Sequence, residues 1–517
     1  MESDDVLQPP VTWRATLRFL GPGLVIAAAI VGSGELIATT KTGAEAGFRL
    51  LWLIVLGCVI KVFVQVEFGR YAIHSGKKTM TALAEVPSPR ILGKGNLIVW
   101  YWFLMFCGSV GQLGGIVGGV GQALSISVPL TAAGREYNRF ADATLKLRAL
   151  DAVVARRGDA VPPAERERLE AERLRLKRQR RQMGVGPGRS NSPPIPPDDK
   201  YWAVIIAVVT SLLLYLGRYR LIQWFATAMV AAFTLVTMAN LGLLQLDPLW
   251  RITPGEIWEG LRFRIPESRP GVAPMATALA TFGIIGVGAT ELIAYPYWCL
   301  ERGYGRFVGA FDGTPAWYER ARGWLRVMRW DAWCSMVIYT VATVAFYLLG
   351  AAVLGRAELD PQKQELIRTL AVMYEPVFGA AAAVLFLFGA FAVLYSTFFV
   401  ANAGNARMLS DALGVLGFAS TEEPAHRRRV RVLSGLFPLL CAAIYIAWPQ
   451  PAFLVLLSGL LQAVMLPLLG AAALYFRFAR TPQPLHPGRL WDLLLVLSAA
   501  GMTVVGGWAL WAKMAGG

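Results

Sequence analysis

Apolar runs of about 20 residues, each long enough to cross the roughly 30 Å of a bilayer's hydrocarbon, recur along most of this chain. They fall near 15–40, 48–73, 96–130, 201–217, 222–245, 275–298, 331–354, 378–402, 432–448, 450–477 and 489–512. Lipid offers no partner to a backbone amide, so a spanning segment is a helix or a strand of a closed barrel. These runs lack the alternation of barrel strands. The expectation is an all-α integral membrane protein of about eleven transmembrane helices over residues 15–517, after a short tail, 1–14. Composition agrees: only 16% of the 517 residues are charged, against roughly a quarter in a soluble chain. Met1–Pro10 is acidic and polar, unlike a cleavable signal peptide.

The net charge of +16 raises nucleic acid as a partner, but its distribution points to topology instead. The loops after spans 2, 4, 6, 8 and 10 carry twenty Lys and Arg, among them Lys77, Arg218, Arg302, Arg407 and Arg477; those after spans 1, 5, 7 and 9 carry nine. Basic loops are cytoplasmic, which predicts a cytoplasmic N-terminus in a cell membrane and an outward C-terminus. One stretch, residues 133–200 between spans 3 and 4, is basic on the outer side, with sixteen Lys and Arg against ten Asp and Glu. Long loops translocate regardless of charge. Its middle is rich in helix formers and Glu/Arg pairs, and its end, Gly184–Asp199, reads as a Gly/Ser/Pro linker. A solvated helical hairpin is expected there; acidic lipid or a protein partner is the functional alternative.

Five cysteines, all in or beside apolar segments, show no paired spacing, and none of the three histidines lies within an expected span. They predict neither a disulfide framework nor a zinc site. With no nucleotide loop and no His-assisted nucleophile, an enzyme is not expected, nor is a cofactor.

The most informative motif is internal. Val31-Gly-Ser-Gly-Glu35-Leu-Ile-Ala38 in span 1 matches Val287-Gly-Ala-Thr-Glu291-Leu-Ile-Ala294 in span 6 at six of eight positions. Five spans apart, the copies enter the membrane from opposite sides, the mark of a 5+5 inverted repeat whose paired helices are broken at mid-membrane around a site. Gly32, Ser33, Gly34, Gly286, Gly288, Ala289 and Thr290 are permissive of unwinding, flanked by Gly21-Pro22-Gly23 and by Pro296. Close helix packing explains small residues equally, and alone accounts for Gly114, Gly115, Gly118, Gly119 and Gly121 in span 3. Each copy also places a carboxylate in the membrane, where ionisable groups are costly and functional by default. Glu35 and Glu291 become a facing pair wanting a cation, a proton, or both in turn; capping of the helix breaks is the structural alternative. Glu67, three residues before Arg70, is expected to form an ion pair within its helix.

Ordered across the spans, Gly21-Pro22, Gly47-Phe-Arg-Leu-Leu-Trp52, Gln65, Arg70, Gly76-Lys77, Gly288-Ala289-Thr290, Tyr297, Leu457-Ser458 and Leu466-Pro467 resemble the Nramp family of divalent-metal transporters. The resemblance implies a LeuT-type fold and transport by alternating access. It also marks a divergent branch. The family's Asp-Pro-Gly-Asn falls on Gly32-Ser33-Gly34-Glu35, keeping only the glycine. Its Met-Pro-His falls on Leu292-Ile293-Ala294, and a span-10 glutamine on Gly459, with Gln462 one turn along. Losing the thioether removes a preference for soft metals. Oxygen donors from Glu35, Glu291, Ser33, Thr290 and Gln462, with exposed backbone at Gly32 and Gly288, suit a hard divalent ion such as Mg2+, with Mn2+ open. Proton coupling would fall to either glutamate. Two alternatives remain: a transporter of an organic cation or amino acid on the same fold, and a non-transporting membrane sensor, against which the short tail after span 11 argues.

Overall fold

The computed structural model describes residues 6–21, 23, 32–91, 94–157, 163–182, 193–217, 220–268 and 272–515. Pro22, Val31, Arg218 and the 184–192 part of the linker lie outside the described residues. Within them, each expected apolar run is helical. Span 1 is Gly34–Thr39 and Thr40–Ala46; span 2 is Leu51–Val59 and Lys61–Ser75; span 3 is Leu97–Ser127. Spans 4 and 5 are Asp198–Tyr215 and Arg220–Leu244. Span 6 is in two pieces, Pro274–Ile284 and Ala289–Glu301. Spans 7 to 11 are Pro315–Leu349, Ala382–Val415, Glu423–Ala447, Pro451–Tyr475 and Arg489–Ala515. Among the described residues, eight stretches are long and apolar enough to cross a membrane. Spans 1, 4 and 5 fall short of that measure. Span 1's described helix is brief, span 4 opens on two aspartates, and the apolar part of span 5 is Ala228–Leu244.

Several boundaries differ from the apolar runs: span 1 runs on to Ala46 and span 9 starts at Glu423, and spans 7 and 8 differ for reasons visible in the packing. Span 7 starts at Pro315, well before residue 331, because Thr314 caps it by accepting from the Trp317 amide (3.2 Å) and because Trp317 and Trp324 are wholly buried. Span 8 starts at Ala382. The preceding residues, Lys363–Ala381, form short helical turns that bury Leu366, Ile367, Leu370, Met373 and Tyr374.

Glycines let the spans approach closely. A Cβ at Gly118 would overlap the Tyr445 ring, one at Gly121 the Asp199 carbonyl, and one at Gly115 would sit 2.7 Å from the Pro451 carbonyl. Spans 6 and 10 share a tighter seam. A Cβ at Gly283 would overlap the Gly459 carbonyl, and one at Gly459 the Ala280 carbonyl. A glutamine therefore has no room at position 459, and the side chain that reaches the neighbouring break comes from Gln462.

The insertion forms two helices, Ala132–Arg157 and Pro163–Gln182. Asp198 anchors its base, accepting from the Leu130 amide (2.7 Å) and the Thr131 hydroxyl (2.7 Å). The first helix is docked rather than free in solvent. Tyr137 donates to Glu365 (2.5 Å), Arg368 pairs with Asp142 and donates to Asn138 (2.6 Å), and Lys146 meets Glu375 (3.5 Å). The hairpin thus grips the short turns that precede span 8.

Candidate functional site

Span 6 breaks over four residues. Its first half ends at Ile284, Ile285 is extended, Gly286 takes φ +56°, and Gly288 caps the second half from an extended conformation. Only glycine adopts the Gly286 conformation without strain, and a Cβ there would come 2.9 Å from the Tyr339 ring. The break is therefore specified by sequence and by packing together. In span 1 the described residues form a π-helix, Gly34–Thr39, following a turn at Gly32.

The predicted helix-break residues do not all act as such. Pro296 lies inside the helix Ala289–Glu301 and does not end it, because only one amide is lost and the helix continues around it. Ala289 is the first residue of that helix, and Gly34 opens the π-helix. The unwinding rests on Ile285–Gly288, so Gly286 and Gly288 lie in it, while Ala289 and Thr290 already belong to the following helix.

Glu35 is wholly buried and ties the two breaks together. Oε2 accepts from the Gly32 amide (3.3 Å) and Oε1 from the Gly286 amide (3.3 Å), with the Thr343 hydroxyl of span 7 at 3.2 Å. Gly32 is itself pressed against Thr397 of span 8, where a Cβ would clash. Glu291 sits on the next turn of the break: its Oε2 lies 2.5 Å from where a Cβ on Gly288 would be. Thr290 and Glu291 are part-exposed, whereas Glu35 is not. The two carboxylates thus gather at residues 286–288, Glu35 held by two backbone amides and Glu291 lying against Gly288.

A chain of polar side chains continues from the break. Gln112 of span 3 donates to Ser33 (3.0 Å) and accepts from Ser458 (2.9 Å) and Gln462 (3.0 Å) of span 10. Gln462 in turn accepts from the Thr290 amide (3.2 Å), and the Thr290 hydroxyl meets Ser109 at 3.2 Å. The structure therefore brings Ser33, Thr290 and Gln462 together as expected. Gln112 joins them without having stood out in sequence, since a lone amide in a glycine-rich span reads as packing. Cys58 also lies close: its Sγ is 3.4 Å from a Cβ placed on Gly286.

Two further groups border the break. Lys61 of span 2 is fully buried, and its ammonium donates to the Phe282 carbonyl (2.7 Å) and the Ile285 carbonyl (2.6 Å). Asp331 of span 7 accepts from the Gly21 amide (2.9 Å), the Gly23 amide (2.5 Å) and the Tyr295 hydroxyl (3.1 Å), fastening the start of span 1. Glu67 pairs with Arg70 (3.0 Å), as its spacing predicts, and also accepts from the Trp491 indole (2.6 Å).

A family model described as natural resistance-associated macrophage protein-like matches residues 194–512, more than half of the chain. The chain belongs to the Nramp family. Curated members match over short stretches. A rice (Oryza sativa subsp. japonica) protein named metal transporter Nramp2 is 36% identical over 73 residues, 14% of each chain. A Populus trichocarpa protein of the same name is 30% identical over 93 residues, 18% of this chain and 17% of its own. The match thus spans less than a fifth of these relatives' length. The fold extends further: the Eremococcus coleocola manganese transporter, solved with an aromatic bis-isothiourea compound, superposes with a TM-score of 0.57 at 14% identity. That match covers 97% of this chain and 88% of that one. The architecture is the LeuT-type inverted repeat, and the chain joins a family of transporters rather than enzymes.

Proposed function

We propose that this Nramp-family chain moves a divalent metal cation across the membrane by alternating access, with Glu291 as its accessible carboxylate ligand. The observation carrying this reading is the concentration of oxygen atoms at one helix break. Two carboxylates lie at the break, and the hydroxyls of Ser33, Thr290 and Ser458 with the amide oxygens of Gln112 and Gln462 lie along one polar seam of spans 1, 3, 6 and 10 that starts there. Hard divalent ions take such donors, and magnesium needs only one or two carboxylates because it keeps several waters. We therefore favour Mg2+, followed by Mn2+, the ion named for the structural relative. The seam is compact: Glu35, Ser33, Ser458 and Gln462 are at most 1% exposed, which supports an ion over an organic solute. By the distribution of Lys and Arg, we place the chain in a cell membrane with its N-terminus in the cytoplasm.

Purified protein in liposomes, loaded with dyes for Mg2+, Mn2+ and Ca2+ and for pH, tests this. Uptake of a divalent ion by the wild type and its loss in Glu291→Gln support the reading, and the pH dye reports whether protons move with the ion. Transport unchanged in Glu291→Gln removes this residue from the site. A wild type that carries no cation overturns the function itself.

A further inference from the structure

A wholly buried ammonium in the membrane needs a reason, because taking a charge out of water costs several kcal/mol even after relaxation. Lys61 has one. The first half of span 6 ends at Ile284, so its last carbonyls have no partner within the helix and form the negative end of its dipole. The Phe282 and Ile285 carbonyls turn onto the Lys61 ammonium at 2.7 and 2.6 Å, and the Phe282 ring lies 4.9 Å away. Ring faces attract cations. Glu35 and Glu291 both lie within electrostatic reach.

Span 2 is shaped to deliver this group. Its helix runs through Ile60, whose carbonyl accepts from Ser498 (2.5 Å), and the Cys58 carbonyl two residues earlier accepts from Tyr339 (3.2 Å). Gly57, just before, lets the Phe282 and Ile285 side chains within about 3 Å of where a Cβ would be. Backbone carbonyls, an aromatic face and nearby carboxylates are the surroundings of a small monovalent cation.

We infer that the break in span 6 contains a monovalent-cation site, formed by the Phe282 and Ile285 carbonyls, whose occupant is the chain's own Lys61 ammonium. The site is distinct from the oxygen seam of Ser33, Gln112, Thr290 and Gln462. Formally, the tethered charge leaves the two carboxylates and the ammonium with a sum of minus one. The chain therefore needs no dissolved alkali ion to hold its break, and a soluble cation of the same class takes the place of Lys61 once its side chain is removed.

Melting of the full-length protein in detergent tests this independently of transport. The probes are sodium, potassium and methylammonium chlorides, raised from about 1 to about 100 mM against choline chloride at constant ionic strength. Wild type should melt at the same temperature in all four salts. Lys61→Ala should melt lower in choline and recover by several degrees in at least one small cation, methylammonium being the nearest mimic. Lys61→Met keeps the packing without the charge. It should melt below wild type and ignore the cation, since its thioether blocks the vacancy. Two results overturn the inference: a Lys61→Met protein as stable as wild type, or a Lys61→Ala protein that no cation restores, including one that cannot be recovered folded in any of these salts. A failure of divalent uptake by the wild type leaves this test unaffected.

Discussion

Glu35 and Glu291 occupy equivalent places in the internal repeat, yet the molecule treats them differently. Glu35 is sealed among spans 1, 6 and 7, its two oxygens spent on the Gly32 and Gly286 amides. Glu291 lies on the following turn, part-exposed, beside Gly288 and Thr290. A repeat in sequence fixes where carboxylates enter the membrane, but the packing around each copy decides its work. We read Glu35 as the fastening between the two broken spans and Glu291 as the group that meets cargo.

The largest expected effect follows from the fastening. Glu35→Ala leaves two buried amides without partners, at about 1–3 kcal/mol each, and should cost about 3 kcal/mol in thermal or denaturant unfolding. Glu291→Ala should cost less than about 1 kcal/mol, the usual range away from such features. Equal losses would break the comparison. Next, Glu291→Gln should lower divalent uptake at least about tenfold, equivalent to about 1.4 kcal/mol, with melting preserved; a normal rate would return the role to Glu35. Gln112→Ala removes the hub between Ser33, Ser458 and Gln462. It should cost about 1–2 kcal/mol and weaken uptake in liposomes, and an unaffected variant would show the seam to be only packing. Asp142→Asn, on the half-exposed side of the Arg368 pair, should cost no more than about 1 kcal/mol, read in the same melts. Pro296→Ala should be smallest, within about 1 kcal/mol of neutral, because the helix already runs through this position. A large loss would make the proline a structural element of span 6.

The helical passes were legible because each apolar run obeys a length set by the bilayer. The matching segments around Glu35 and Glu291 also led correctly to the break in span 6. What escaped depended on contacts distant in sequence. The carbonyls that hold Lys61 are free only because the chain breaks some 220 positions later. The rule that singled out Glu35, an ionisable group within a span, applies to Lys61 equally and would have found it. Gln112 carries no comparable mark. Its importance comes from three spans converging on one amide. Pro296 misled because a proline signals a break only where the chain has no reason to continue, and the helix on either side of it is well packed, with Tyr295 and Tyr297 buried.

The glycine seam between the first half of span 6 and span 10 has a mechanical consequence. Backbones that touch at Gly283, Gly459 and Ala280 leave no side chains between them to act as bearings. One cannot slide past the other without carbonyls colliding, so the two helices turn as a single lever. The second half of span 6, beyond the break at Ile285–Gly288, meets that lever through a hinge of four residues and through the Thr290 amide on Gln462 of span 10. A rotation of the second half at this hinge would have to break the Thr290–Gln462 bond and would carry Glu291 relative to Glu35, which is bonded to the Gly286 amide within the hinge.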